Sequence, residues 1–162
     1  MKIHRILGGA AALALLASPS LAGQPAGQSW SQDPGSKCRF VAPASLTAGP
    51  TYWTGACPGG KASGIGMLRR RDGAKSGPAF YGELTAGVPK IGVVDLDGQY
   101  RVGRFVDGDI GGKELEANER LTAFRTAARA ARAVSARFAA QKNSASAKLY
   151  ADVARTLDMQ IE

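Results

Sequence analysis

Residues 53–60 read WTGACPGG, residues 80–87 read FYGELTAG and residues 101–108 read RVGRFVDG. Each stretch has a glycine at its third position and another at its eighth. Glycines at such regular places indicate turns with positive φ, or backbones that pack too closely for a Cβ atom. The aromatic and apolar residues between them are typical of half-buried strands. The repeat therefore predicts a stack of β-hairpins, each too small to bury its own face.

The glycine frame is most complete in the first copy, residues 53–73. Counted from Trp53, glycines occupy positions 3, 8, 12 and 14, which are Gly55, Gly60, Gly64 and Gly66. This spacing resembles the MORN repeat, and residues 80–98 and 100–112 keep part of it, with Arg101 at the aromatic position of the third copy. The resemblance covers about a third of the chain. It implies an extended sheet of hairpins that acts as an interaction or scaffolding module, in some members against acidic lipids.

The amino terminus has the features of a secretory signal. Lys2 and Arg5 precede an apolar run, and a small-x-small cleavage site ends at Ala22. We therefore expect residues 1–22 to be removed and the protein to be exported, to the periplasm or the cell exterior. A retained N-terminal anchor is the competing interpretation. Residues 23–37 are rich in glycine, proline, serine and glutamine and predict a flexible leader. Within that leader, Trp30 is either a docking point for a partner or a residue folded back onto the domain.

Charge and composition narrow the function classes. Without Lys2 and Arg5, 19 of the 21 basic residues remain against 13 acidic ones, a net charge of +6. Such a charge attracts acidic partners, although export argues against nucleic acid. The only histidine, His4, leaves with the signal, so histidine is excluded as a base or ligand in the mature chain.

No motif for catalysis or cofactor binding stands out. The chain has no phosphate-binding loop, and the mature part has no serine three residues before a lysine. Asp97-Gly98 and Asp107-Gly108 favour hairpin turns for conformational reasons. Without a twelve-residue calcium loop, a calcium site stays the minor interpretation. A pair of carboxylates that flanks a glycosidic bond is weaker still, since no spacing singles one out. We therefore predict a protein that is not an enzyme, with no metal and no cofactor.

Two cysteines, Cys38 and Cys57, remain after cleavage of the signal. In an oxidising compartment an isolated pair usually forms a disulfide. A redox-active pair would lie closer together, as in Cys-x-x-Cys. We predict a structural Cys38–Cys57 bond that ties the segment entering the sheet to the first hairpin.

The carboxyl-terminal third changes character. From residue 113 alanine dominates, and an apolar stripe recurs at helical spacing. We predict two helices, about 114–142 and 145–160, with Ser144 or Ser146 capping the second. At least one of them should lie over the sheet or its end. The fold class is α+β: an antiparallel β-meander of stacked hairpins (38–112) followed by a helical segment (113–162).

The predicted function is binding by exposed aromatic residues and arginines of the repeats. The candidate surface consists of Tyr52, Trp53, Arg69, Arg70, Arg71, Tyr81, Tyr100 and Arg101, some of which alternation must turn inward. A second candidate is a basic helix face of Arg125, Arg129 and Arg132. We expect a protein partner for an exported scaffold. The alternatives are a periplasmic inhibitor or immunity protein, and a peripheral binder of anionic lipid or lipopolysaccharide. An open sheet edge or the alanine-rich helix leaves a homodimer open.

Overall fold

The computed structural model describes residues 29–112 and 114–161. The predicted signal, residues 1–22, lies outside this part of the chain. The described strands are β1 (Trp30–Gln32), β2 (Arg39–Val41), β3 (Thr51–Ala56), β4 (Ser63–Asp72), β5 (Lys75–Thr85), β6 (Val88–Leu96), β7 (Gln99–Val106) and β8 (Asp109–Ile110). The described helices are α1 (Ala117–Ala140) and α2 (Ser144–Asp158). The predicted α+β class, a β-meander followed by two helices, is confirmed.

Strands β3 to β8 form one six-stranded antiparallel sheet in sequence order. The three sequence copies fall on its three successive hairpins, β3–β4, β5–β6 and β7–β8. In the turn between β6 and β7, Asp97 and Gly98 both have positive φ, as a two-residue hairpin of primed type requires. The carboxylate of Asp95 accepts a hydrogen bond from the amide of Gly98 at 2.7 Å. These aspartates therefore serve the turn.

Four repeat glycines make room for aromatic rings. A Cβ atom on Gly66 would lie 2.6 Å from the carbonyl oxygen of Thr54 and would also overlap the ring of Trp53, as would one on Gly55. A Cβ atom on Gly92 would lie 2.7 Å from the ring of Phe80, and one on Gly82 would overlap it. None of the four has positive φ. These four glycines are therefore needed for close packing against aromatic rings on one face of the sheet, and not for turns with positive φ.

That face, the ribbon face, is covered by the two-stranded ribbon of β1 and β2 and the loop that follows it. A disulfide joins Cys38 to Cys57 and so ties β2 to the end of β3, as predicted. In the loop-entropy description such a bond stabilises by about 3 kcal/mol. The buried apolar side chains here include Phe40, Leu46, Trp53, Leu68, Phe80, Leu84, Val94 and Ile110.

The expectation of a flexible leader is wrong for residues 30–37, because Trp30–Gln32 pairs with Arg39–Val41. Asp33 holds the turn between the two strands. One of its carboxylate oxygens accepts the amides of Gly35 and Ser36 at 2.7 and 2.9 Å. The other accepts the amide of Trp53 at 2.7 Å, and the Asp33 residue is 4% exposed. A donor on the outer edge of β3 is thereby satisfied, which protects that edge from pairing with other chains.

The opposite face, the helix face, is covered by α1, which contacts β4, β5, β6 and β7. Alanines make up most of the buried side of α1: Ala123, Ala127, Ala128, Ala130 and Ala131. They meet sheet residues such as Met67, Tyr81, Val93 and Val102. Short side chains let the helix approach the sheet closely, so the expectation that a helix covers the sheet is confirmed.

The second helix packs against the first. The side chain of Asn143 caps α2 by accepting the amide of Ser146 at 3.1 Å. The prediction that Ser144 or Ser146 caps α2 is therefore wrong. Asn143 takes this role, and asparagine is as favourable as serine at a helix N-cap. Tyr150 of α2 stacks on Phe138 of α1, with ring centroids 5.4 Å apart, and lies edge-on to Tyr81 of the sheet. Both helices therefore contribute side chains to the cover over this face of the sheet.

Candidate interaction surfaces

Two residues of the predicted sheet surface are buried. Trp53 is 7% exposed on the ribbon face, and Tyr81 is 0% exposed on the helix face. Their assignment to a contact surface is wrong, because both faces of the sheet are covered in the described part of the chain. The indole of Trp53 donates instead to the carbonyl of Ala56 at 2.8 Å.

The side chain of Arg69 lies between the sheet and the helices and makes contacts within the protein. Its Nη2 atom donates to the Tyr81 hydroxyl at 2.6 Å, and its guanidinium lies 5.6 Å from the ring centre of Tyr150. Burial raises the pKa of Tyr81 to about 12, against the opposing effect of the Arg69 charge. The Tyr81 phenol therefore stays neutral and accepts this charged hydrogen bond at physiological pH. Arg69 and Tyr81 bind each other and do not offer a free surface.

Alternation along β4 divides the arginine triplet between the two faces of the sheet. Arg69 points toward the helices, whereas Arg70 donates to the carbonyl of Ala48 at 2.8 Å on the other side and pairs with Asp72. Arg71 is exposed and lies over the ring of Tyr52 at 5.9 Å. The three arginines therefore do not form one continuous basic patch, since successive side chains of a strand point to opposite faces.

The side chains of Tyr100 and Arg101, also part of the predicted surface, make contacts within the protein. Tyr100 is half-buried and lies edge-on to Phe124, with ring centroids 5.9 Å apart. Arg101 pairs with Asp109 at 3.2 Å and donates to the carbonyl of Ile110 at 3.1 Å. Of the eight predicted residues, only Arg71 is exposed, next to the half-buried Tyr52. This pair is too small to serve as an extended binding face.

The predicted basic helix face is brought together as expected. Arg125, Arg129 and Arg132 are all exposed on the side of α1 that points away from the sheet. Arg132 forms an ion pair with Asp158 of α2. Within residues 29–112 and 114–161, no carboxylate lies within ion-pair distance of Arg125 or Arg129. The outer face of α1 therefore carries two unpaired guanidinium groups on a rigid element.

A groove of about 700 Å³ runs between α1 and α2 beside this basic face. Its floor is formed by short side chains, Ser135, Ala136, Ala151 and Ala154. The charged residues at its rim pair with one another: Arg132 with Asp158, and Lys148 and Arg155 with Asp152. The charge of the groove is therefore largely neutralised by its own residues, in contrast to Arg125 and Arg129.

Other kinds of site find no support in the described residues. They contain no group of three or more histidine, cysteine, aspartate or glutamate side chains placed to hold a metal ion. Among the helices described, none is long and apolar enough to span a bilayer.

Comparisons with protein-family models, curated proteins and solved structures find no match to this chain. A function is therefore inferred from the sequence and from the geometry of the described residues.

Sequence reasoning missed two features of the ribbon. Asp33 begins an Asp-Pro-Gly stretch, a turn signal that is visible in the sequence although its long-range bond to Trp53 is not. Trp30 is half-buried and lies close to two cations, Arg39 and Lys61. No local pattern connects these two basic residues, because only the fold brings them to the same ring.

Proposed function

We propose that this chain is an exported, non-enzymatic binding protein that contacts an acidic protein partner through the outer face of α1. One observation carries the proposal: Arg125 and Arg129 are exposed on one helix face with no acidic partner among the described residues. Exposed cations on a rigid element attract and orient an acidic partner. Arginine is also among the residue types that dominate binding energy at protein interfaces.

The helical layer replaces the sheet as the proposed contact surface. A helix layer and a ribbon cover the two faces of the sheet, so its aromatic residues stabilise the fold. The likeness to MORN repeats supports an interaction role and stays part of the proposal. In this chain the repeats would supply the platform on which α1 and α2 are held.

Export is the second part of the proposal. It rests on the basic, apolar and small-residue pattern of residues 1–22. The Cys38–Cys57 bond also supports it, because structural disulfides persist in oxidising compartments.

The surroundings of the arginines favour a protein over a lipid surface. Small or polar side chains share the outer face of α1, among them Asn118, Thr122 and Ala136. A helix that inserts into a membrane interface needs exposed large apolar residues beside its cations, whereas Leu121, one turn before Arg125, is half-buried. Charge alone would give only about 1 kcal/mol per arginine at an anionic bilayer.

The test compares two variants that each remove two positive charges. Arg125→Gln/Arg129→Gln changes the proposed surface, and Lys75→Gln/Lys90→Gln changes two exposed strand lysines. Each full-length protein is used to capture proteins from an envelope extract of the native host, and bound proteins are identified by mass spectrometry. We expect an acidic protein that the wild type and the lysine variant retain and the arginine variant loses. Charge-driven attraction also predicts a slower association at high salt.

A second arm uses vesicles of phosphatidylglycerol at low and high ionic strength. Retention of the same protein by the arginine variant would refute the proposed surface. Binding to the vesicles, with no protein captured, would replace the protein partner by an anionic lipid.

A further inference from the structure

Trp30, Arg39 and Lys61 form a compact cluster at the edge of the ribbon. The guanidinium carbon of Arg39 lies 5.4 Å from the centre of the indole ring, and the ammonium of Lys61 lies 5.7 Å from it. Both cationic residues are exposed, whereas Trp30 is half-buried. Two cations therefore share one aromatic ring at the surface, within cation–π distance of it.

The backbone makes these two cations direct neighbours. Arg39 and Lys61 are paired in an isolated parallel bridge, although 22 positions separate them in the sequence. Like charges on neighbouring strand positions repel each other. In the part of the chain that the structure describes, neither forms an ion pair with a carboxylate. The indole offsets this repulsion only in part, which leaves the cluster with two positive charges.

Covalent and backbone bonds hold the cluster in place. Cys38 directly precedes Arg39, and its disulfide partner Cys57 lies four residues before Lys61. The carbonyl of Arg39 accepts the amide of Ala62 at 2.9 Å, next to Lys61. The backbone spacing between Arg39 and Lys61 is therefore set before any ligand arrives, which lowers the entropic cost of binding.

The glycines around the cluster determine both its packing and its access. Gly87 has a φ of +88°, and a Cβ atom there would lie 2.7 Å from the ring of Trp30, so this glycine allows the indole to pack on the turn. Gly59 and Gly60 precede Lys61, and a Cβ atom on either would meet no atom of the described residues within 4 Å. In that part of the chain the backbone that leads to the exposed Lys61 is therefore uncrowded.

We infer that Trp30, Arg39 and Lys61 form a binding site for a phosphate-class oxyanion. A guanidinium donates two parallel hydrogen bonds to such a group, and an adjacent ammonium supplies a third donor and a second charge. The site lies on the ribbon, whereas the proposed protein surface is on α1, so this inference does not depend on the proposed function. Free phosphate and a phosphate ester on a larger molecule share this chemistry.

The experiment follows the side-chain NMR signals of the full-length ¹⁵N-labelled protein at constant ionic strength. Inorganic phosphate, glucose 6-phosphate and chloride are titrated separately. We expect saturable shifts at the indole N–H of Trp30 and at the Nε–H of Arg39 with both phosphates, and none with chloride. The indole of Trp53, which is buried and bonded to Ala56, serves as an internal reference.

Variants then decide whether the two cations act together. Arg39→Gln and Lys61→Gln should each weaken phosphate binding roughly tenfold, because each removes charged donors to the anion. Lys75→Gln removes the same charge at the opposite end of the hairpins and should leave the affinity unchanged. Arg39→Lys retains the charge but loses the paired donors, so its affinity should fall between wild type and Arg39→Gln.

Outcomes that would overturn the inference are equally specific. If chloride produced the same NMR shifts, or if the shifts never saturated, they would report general ionic screening and not a binding site. An affinity that neither Arg39→Gln nor Lys61→Gln changes would place any bound phosphate elsewhere. Stronger binding of glucose 6-phosphate than of inorganic phosphate would identify a phosphate ester as the ligand class.

Discussion

The two faces of the sheet achieve close packing in opposite ways. On the ribbon face the small residues belong to the sheet: Gly82 and Gly92 leave space for the ring of Phe80. On the helix face the small residues belong to the covering helix, whose buried side is mostly alanine. The comparison shows that close packing at each face brings a large side chain against a small residue. The small residue can belong either to the sheet or to the element that covers it.

The faces also differ in how their covers are attached. The ribbon is held by a disulfide, by the carboxylate of Asp33 and by backbone bonds such as Val41 to Gly87 at 2.7 Å. The helices are held mainly by apolar contacts, to which the ion pair between Arg104 of β7 and Glu119 of α1 and the contact of Arg69 with the ring of Tyr150 add polar links. A cover held by apolar contact buries one side of the helix and leaves its other side free for charged residues. The basic face of α1 follows from this arrangement.

The largest effect is expected where the small residue lies in the sheet. In Gly82→Ala the new Cβ atom would overlap both the ring of Phe80 and the carbonyl oxygen of Ile91, a backbone atom that cannot move alone. We expect a loss of about 3 kcal/mol in the free energy of unfolding, measured by urea denaturation. Gly77→Ala in the same strand is the matched control, since its Cβ atom would lie 3.4 Å from Arg70. A similar loss in both variants would refute the role of Gly82 in packing the ring.

A smaller effect is expected where the small residue lies in the helix. Ala127 is completely buried in α1, so Ala127→Leu forces the helix away from the sheet. We expect a loss of about 2 kcal/mol, since a helix can shift or rotate more easily than a sheet backbone. Ala139→Leu, on the exposed side of α1, should change stability by less than about 0.5 kcal/mol. If Ala127→Leu proves neutral in urea denaturation, the helix face is less closely packed than the ribbon face.

The smallest effect is expected at the hydrogen bond between Arg69 and Tyr81, which joins β4 to β5 beneath the helices. Tyr81→Phe removes the acceptor of the Arg69 hydrogen bond and should cost about 1–2 kcal/mol at neutral pH. The unfolded phenol ionises near pH 10 and the folded one near 12. The unfolded chain therefore loses this proton first, and the stability contributed by neutral Tyr81 declines as the pH rises from about 10 to about 12.

Urea denaturation between about pH 9 and about pH 11.5 measures this decline. The slope should be shallower in Tyr81→Phe than in the wild type. It should not disappear, since burial also raises the pKa of Tyr100, which remains. Equal slopes in the two proteins would show that Tyr81 contributes nothing to the alkaline loss of stability.

Much of the fold was predictable because its signals are local. Asp97-Gly98 and Asp107-Gly108 specify turns through their own backbone preferences, and the alanine-rich tail specifies helices. The pairing of Cys38 with Cys57 followed from the sequence having just these two cysteines. The first strand of the ribbon, β1, was missed because its three residues carry little periodicity, and the main bond of the ribbon joins Asp33 to Trp53 across 20 positions.

The candidate site was predictable only in part. The spacing of Arg125, Arg129 and Arg132 places them on one side of a helix whatever the helix packs against. The prediction of an exposed sheet surface was wrong at Trp53 and Tyr81. The alternation of side chains along a strand defines two faces but does not show which of them is covered. The cluster of Trp30, Arg39 and Lys61 had no local signal, since two of its members meet only through a long-range bridge.

The sequence by itself determined the hairpins and the helices. These properties depend on backbone preferences and on side-chain spacing within a few residues. Only the tertiary structure decided that both faces of the sheet are covered and that Arg39 and Lys61 meet at the ring of Trp30. Burial depends on contacts between segments far apart in the chain, and those contacts determine which side chains remain at the surface to bind.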